Sequence, residues 1–518
     1  MLEPIWTSLY SLQNKKPFKP DTVVLISDTI ELEKDEISTF DLLGTKLIRI
    51  SPLEFPGNQQ IPFNRNSIII QLWAMLDYGK LIYFTPDVIF EDHVDQLFNH
   101  PAGTAFIANQ NDGNSSISML ILEPNTQSFE AILKDYRRAG HNLDLIDLLQ
   151  GKYLTPASYH ASFKQMITLY TKLMKPWNFH LYRDTDWKKH IDPVLFYKWR
   201  HLNNQMHNTF NTTKAGLWEN AERQHQVCST YLNFRLQSVS SFPIEDQFSV
   251  LISTYNPDRI EHLSLLIKHL LKSSKIHTVY ITWHNPALQV PNSLLQGIPT
   301  QDHTRVVILP QSFDSLNNRF NPIPGLQTDS VYIMDDDIFV GLEDLEFTFQ
   351  AWQNRKDSIV GHFPRLHTYN HETNKATYRV VQKAPYSIIL TKSMFIRSDY
   401  LFSYTCLLDP DLHQIIDDQL NCEDLAFAMM VAGMSHAPPG YVQTKVPIED
   451  FGLVKGISTN SAHMPARAKC ISDFVTQFWH QNDPLLLAYD TTISFSRTQY
   501  RRGSWQRVKK TIQKEESG

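Results

Sequence analysis

Four apolar residues run without a break into three carboxylates in Val331-Tyr-Ile-Met-Asp-Asp-Asp-Ile-Phe-Val340. Such a run reads as a strand buried on both faces. A buried strand must surface where its charges begin, so Asp335, Asp336 and Asp337 mark the edge of a sheet. Three adjacent negative charges repel one another, and burial raises their pKa values unless a cation compensates. A divalent metal is one such cation. Mg2+ or Mn2+ held by one or two carboxylates can bridge a diphosphate and neutralise its charge as it leaves. The plainer alternative is a polar turn whose aspartates cap the next segment.

The surroundings favour the sheet. Phe248-Ser-Val-Leu-Ile-Ser-Thr-Tyr255 is a second buried-strand candidate. Pro257 to Lys272 follows as a helix, with Ile260, Leu263, Leu266, Ile267 and Leu270 at helical spacing. Val279–Trp283 and Val306–Leu309 add two more short strands. In such a βαβ series ligands bind beyond the C-terminal strand ends.

Other stretches read differently. Residues 1–20 form an N-terminal segment, ending in Lys15, Lys16 and Lys19. Residues 21–153 alternate strand candidates (Thr22–Ile26, Leu81–Phe84, Ser118–Leu122) with helix candidates (Ile68–Tyr78, the segment carrying Val94, Leu97 and Phe98, and Phe129–Arg138), an α/β domain. Residues 154–242 are rich in His, Trp, Tyr, Asn and Lys and read as a helical connector. An irregular linker would expose too many aromatics. Residues 243–500 carry the βαβ series, and 501–518 form a basic tail expected to be solvated.

The balance of charges narrows the function. A net charge of −6 argues against nucleic acid as a partner, since phosphate contacts need a basic surface. No stretch approaches the roughly 20 apolar residues of a membrane-spanning helix. The first residues lack a signal peptide's apolar segment, so either the protein is soluble where it is made or a leader lies outside this chain. Membrane association would then come through a segment outside these residues. The sequons at Asn114 and Asn211 say little about compartment.

From Phe248 to Ile471 the chain resembles the exostosin-like domain of glycosyltransferase family 64. The motifs that carry the resemblance are Ser253-Thr-Tyr-Asn256, Thr282-Trp-His-Asn285, Asp314-Ser-Leu-Asn-Asn-Arg-Phe320, the Asp triplet, Val360-Gly-His-Phe-Pro-Arg365, Asn421-Cys-Glu-Asp424 and His463 through Cys470. The resemblance implies a GT-A fold, a UDP-sugar donor such as UDP-N-acetylglucosamine, Mn2+ (or Mg2+) as cofactor, a glycan or glycolipid acceptor, and retention of anomeric configuration. It implies that Asp335 and Asp336 face the ribose and the donor sugar, and that Asp337 is the direct metal ligand. Arg319, with Asn318 beside it, would contact the donor, as would Asn285, Asn421 and, at the diphosphate, Arg467. Asp424 would engage the acceptor hydroxyl or the oxocarbenium-like centre, and Glu423 the donor-sugar hydroxyls. Asn421 is also a good N-cap, and both roles can hold. His463, four residues before Arg467, reads more readily as structural. The resemblance also pairs Cys422 with Cys470, which would place the protein in the oxidising lumen of the Golgi or endoplasmic reticulum. Two free buried thiols are the alternative.

Three positions depart from the family pattern. The usual arginine after Thr-Tyr-x is Pro257, with Arg259 two residues on; the usual Asn of Asn-Ser-Leu is Asp314; and Trp-Asn-Asn reads Trp283-His284-Asn285. More faintly, Arg65 to Tyr153 resembles a glycogenin-type family 8 domain, carried by Leu72-Trp73-Ala-Met-Leu-Asp77-Tyr78-Gly-Lys80, Leu81-Ile-Tyr-Phe84, Asp92 to Phe98 and Ser118-Met-Leu-Ile-Leu-Glu-Pro124. Where that family has Asp-x-Asp, this chain has Thr85-Pro86-Asp87, so two-carboxylate metal binding is not available there. The expectation is an α/β protein with two GT-A-like (Rossmann-like) nucleotide-sugar-binding domains joined by a helical connector, the first catalytically silent. A nucleotide-sugar-binding pseudoenzyme that supports another transferase is the alternative. A glycoside hydrolase with paired carboxylates ranks third.

Overall fold

The structure, a computed structural model, describes residues 2–14, 20–51, 53, 65–109, 115–139, 145–157, 161–170, 192–210, 217–237, 243–453, 463–493 and 501–517. Asn114 and Asn211 lie outside that set. The chain divides into two units, Met1–Phe179 with Lys188–Thr213, and His180–Trp187 with Lys214–Gly518. The expected connector is therefore shared out. Helix Pro193–Thr209 belongs to the first unit, where Met206 packs with Leu9, Tyr10, Phe40 and Leu43. Helix Leu217–Gln237 belongs to the second, where Cys228 is disulfide-bonded to Cys406.

In the first unit, strands Thr22–Ser27 and Thr45–Ile50 pair in parallel. A separate four-stranded sheet runs in the order Leu81–Phe84, Ser115–Leu122, Thr104–Asn109, Thr155–Pro156. Helix Thr126–Ala139 packs on it through Ile132 and Tyr136, together with Ile69, Ile70 and Trp73. The expected helix over Ile68–Tyr78 is shorter, an α-helix Arg65–Gln71 followed by a 3-10 turn Leu72–Ala74. The segment with Val94 and Leu97 is likewise a 3-10 turn, Val94–Asn99, stopped by the restriction that Pro101 places on His100.

The second unit is built on an eight-stranded sheet in the order Val306–Pro310, Ile276–Trp283, Phe248–Thr254, Ser330–Asp335, Ser393–Arg397, Val360–Gly361, Gly440–Gln443, Thr492–Ile493. The first four strands are parallel. The apolar runs of Ile276–Trp283, Phe248–Thr254 and Ser330–Asp335 are buried on both faces, as expected of parallel strands covered by helices, while the edge strand Val306–Pro310 is mostly half-buried. Helix Ile260–Leu270 buries Leu263, Leu266, Ile267 and Leu270. From Phe248–Thr254 the chain winds outward through two strands and returns on the other side as Ser330–Asp335. Adjacent strands whose connections diverge in this way open a crevice at their C-terminal ends, here Thr254 and Asp335.

The expectation of a solvated C-terminal tail is corrected. Arg501–Arg502 pairs in parallel with Glu449–Asp450, and helix Trp505–Ser517 buries Val508 and Ile512. Trp505 stacks on His262 (ring centroids 4.1 Å apart) and on Phe451 (4.6 Å). Arg507 makes a two-pronged contact with Glu449, Nε and Nη2 each donating at 2.8 Å. The segment is basic, but Trp505, Val508 and Ile512 give it an apolar stripe at helical spacing, and that stripe decides its position.

Candidate active site

The Asp triplet stands at the crevice. Asp335 ends its strand in register with Ser253 of the neighbouring strand. Its Oδ1 accepts a hydrogen bond from Arg319 Nη2 at 2.7 Å. The same guanidinium donates through Nη1 to Thr391 Oγ1 at 2.6 Å and to Glu423 Oε1 at 3.2 Å. Burial works against the charge on Arg319, but the Asp335 and Glu423 carboxylates outweigh it and hold its pKa above the ordinary value. Arg319 thus joins the triplet to the Asn421-Cys-Glu-Asp424 segment.

Asp336 points the other way. Its Oδ2 accepts from Thr254 Oγ1 at 2.7 Å, and its Oδ1 is ion-paired with Arg259. Burial raises its pKa, opposed chiefly by Arg259. Asp337 is the least satisfied of the three. Its Oδ2 is 3.4 Å from Arg259 Nη1, and its Oδ1 is buried with no hydrogen-bond partner among the described residues. Burial, reinforced by the neighbouring Asp335 charge, pushes its pKa up to about 7. Lys392 Nζ lies nearby, 3.4 Å from both carboxylate oxygens of the buried Asp450. Gly452 closes over this group. A Cβ there would lie 3.1 Å from Asp450 Oδ1 and Lys392 Nζ and 3.2 Å from Asp337 Oδ2, so a bare backbone is what fits.

Helix Glu423–Ser435 begins within the Asn421-Cys-Glu-Asp424 segment. Asp424 and Arg467 form a buried ion pair, Nη2 to Oδ2 at 2.5 Å, each side chain 6% exposed. Arg467 also donates through Nη1 to Asn421 Oδ1 at 3.2 Å and lies over the Tyr378 ring, 4.8 Å from its centroid. Glu423 is buried. Burial and the adjacent Asp424 push its pKa up to about 7 in spite of Arg319. The Cys422–Cys470 disulfide joins this helix start to helix His463–Gln477, so two of the site's segments are covalently tied. His463 is the first residue of that second helix, and its side chain lies outside the described residues.

Three further expected contact residues are engaged in hydrogen bonds within the chain. Asn285 Oδ1 accepts from Ala287 N at 3.1 Å, while its Nδ2 donates to Tyr255 O at 3.4 Å, bracing two loops. Asn318 Nδ2 donates to Phe313 O at 2.8 Å. Asn421 accepts from Cys422 N at 2.8 Å as well as from Arg467. Of the departures, Asp314 is exposed. His284 is buried, its Nδ1 3.1 Å from Ser315 O, and burial lowers its pKa to about 4, so the ring is neutral at pH 7.

Several participants escaped the sequence reading. Arg259 stood out only as a displaced arginine, and its reach back to Asp336 and Asp337 depends on the turn made by Pro257–Arg259. Lys392, Asp450 and Gly452 carry no local signal; strand pairing brings them to Asp337.

Comparison with known proteins bears on this geometry. The Glycosyl transferase family 64 domain matches residues 248–491. Glycosylinositol phosphorylceramide mannosyl transferase 1 of Arabidopsis thaliana is 30% identical over 245 residues, covering 45% of this chain and 72% of the relative. Glycosyltransferase family protein 64 C3 of the same plant is 31% identical over 248 residues, 44% of this chain and 75% of the relative. Human exostosin-2 is 27% identical over 259 residues, 48% of this chain but only 35% of that protein.

Proposed function

This chain belongs to glycosyl transferase family 64, and we propose that it moves a sugar from a UDP-sugar, an N-acetylhexosamine donor by preference, to a glycan or glycolipid acceptor with retention at the anomeric carbon. The observation that carries this reading is the buried, unpartnered Oδ1 of Asp337 beside two further carboxylates at the crevice. Hard oxygen atoms with residual negative charge fit Mn2+ or Mg2+. Among the described residues no group of three or more His, Cys, Asp or Glu forms a ready-made cage. That suits an ion that takes one or two carboxylates and completes its shell with donor phosphates. Asp337 would hold the ion, and the bound ion would neutralise charge on the departing diphosphate.

The chain's own residues do the rest in this reading. Arg319 fixes Asp335 and Glu423 in one plane of hydrogen bonds, so the donor sugar meets a preset rim. Glu423, near neutrality at pH 7, can both donate to and accept from sugar hydroxyls. Asp424 is held by Arg467 beside it and presents fixed negative charge toward the developing oxocarbenium-like centre. The first unit takes no part in chemistry in this reading. The two disulfides, Cys228–Cys406 and Cys422–Cys470, support a place in the oxidising secretory lumen. Among the described residues no helix is long and apolar enough to cross a membrane.

A second reading draws on Arg259. Its guanidinium already neutralises Asp336 and approaches Asp337, as expected of a site that binds nucleotide without turnover. A donor panel separates the two. UDP-sugars, and a nucleoside diphosphate mannose because one relative is named a mannosyl transferase, are incubated with Mn2+ and hydrolysis is followed. Metal-dependent turnover that disappears in Asp337→Ala supports the transferase. Binding of the same donors without any turnover supports the binding subunit.

A further inference from the structure

The two strands of the first unit that ought to be most deeply buried by their sequences are not. Val23-Val-Leu25 and Leu81-Ile-Tyr-Phe84 are continuous apolar runs, yet every one of these residues is only half-buried. Among the described residues each strand has a sheet neighbour on one side only. Between them lies a cavity of about 530 Å³, also lined by Leu9 and Leu12 of helix Glu3–Gln13 and by Leu72 and Met75. One polar side chain in the lining is unsatisfied. Thr85 follows the second strand, is 7% exposed, and its Oγ1 has no hydrogen-bond partner among the described residues.

We infer that this cavity binds a single-chain amphiphile, a hydrocarbon tail carrying a hydroxyl or carbonyl head that pairs with Thr85. The volume falls within the usual range of small-molecule sites, roughly 300–1,000 Å³. An apolar cavity of roughly 150 Å³ takes one benzene ring, so this one holds a chain of roughly a dozen to eighteen carbons. The walls exclude a sugar nucleotide. The lysine that lines the cavity, Lys80, donates to His100 O at 2.7 Å and sits 3.6 Å from Glu123, so it is not free to meet a diphosphate. The lining carboxylate, Asp21, is paired with Lys46 at 3.2 Å. The rest of the lining is mainly apolar side chains, with Thr85 the buried hydroxyl that lacks a partner, which suits a fatty alcohol or a sphingoid chain. This inference is independent of the reading of the carboxylate site.

The test uses the full chain and the fluorophore N-phenyl-1-naphthylamine, with 1-dodecanol as competitor. Fluorescence should rise on adding the protein, and dodecanol should displace the probe. Leu25→Trp and Met75→Trp each fill the cavity from its lining and should each weaken the probe by at least about tenfold while the protein melts at the same temperature. Thr85→Val keeps the shape and removes the hydroxyl. It should weaken dodecanol by about fivefold and leave the naphthylamine unchanged. No rise in fluorescence, or a rise that survives both tryptophan variants, overturns the site. Dodecanol binding that is indifferent to Thr85→Val overturns the assigned head group.

Discussion

Replacing Arg467 with methionine keeps most of the side chain's length and removes its charge. Asp424 would then be left in a setting where both partners are 6% exposed, with no cation at 2.5 Å. Breaking a buried pair by removing one member typically costs about 3–5 kcal/mol, because the stranded charge has lost its water and its counter-ion. The contact with the Tyr378 ring and the hydrogen bond to Asn421 go with it. Each is worth about 1 kcal/mol, though neither adds fully to the first figure. Arg467 also holds down the already raised pKa of Glu423, so its loss pushes that group further from ionisation. A local destabilisation of about 4 kcal/mol is expected, confined to helices Glu423–Ser435 and His463–Gln477. Amide hydrogen exchange, run with the Cys422–Cys470 bond intact, reads the opening free energy of those two helices separately from the rest of the chain. The double variant Arg467→Met/Asp424→Asn removes the stranded charge and should recover at least half of the loss. A single variant whose helices exchange within about 1 kcal/mol of wild type would refute the argument that this pair is dry and mutually dependent.

Other outcomes follow from the same site. Glu423 keeps its proton in the folded chain up to pH about 7 but ionises near 4.5 when unfolded. The folded state therefore binds more protons between those values, and stability should fall as pH rises from about 4.5 to 7, by on the order of 3 kcal/mol. In Glu423→Gln the urea midpoint should lose that share of the slope, while the share from Asp337, whose pKa burial likewise pushes up to about 7, remains. Replacing Cys422 and Cys470 by serine opens a loop of 48 residues, worth about 4 kcal/mol by chain entropy, and calorimetry should show a lower melting temperature. Arg259→Met removes the guanidinium from Asp336 and Asp337. Mn2+ binding without nucleotide, followed by electron paramagnetic resonance, should tighten by about tenfold, and unchanged or weaker binding would show that Arg259 does not compete for the carboxylates.

Much of the second unit can be read along the chain because its signals are local. The buried runs at Phe248 and Val331 form adjacent parallel strands, and the carboxylates surface where the second run ends. Asp424 stands in the first turn of a helix, though the N-cap is Cys422 and not the expected Asn421, and the cysteine pair drawn from the family resemblance is bonded. What the chain hides is whatever depends on partners far apart in sequence. Arg259 meets Asp336 from another loop, and Cys228 meets Cys406 across a separation of 178 residues. Trp505 finds His262 and Phe451 only once the C-terminal helix has docked, so a segment that looks solvated by charge is held by its rings. In the first unit two of the strand candidates border a cavity, since periodicity reports burial potential and says nothing about which edge is paired.

The account turns on Asp337 as the anchor of a metal–diphosphate complex. Crystals soaked with Mn2+ and UDP and measured at the manganese absorption edge test it directly. An anomalous peak in bonding contact with Asp337 Oδ1, shared with the diphosphate and lost in Asp337→Asn, is the predicted result. A bound nucleotide with no metal at that oxygen, or a metal that persists in the asparagine variant, would contradict it.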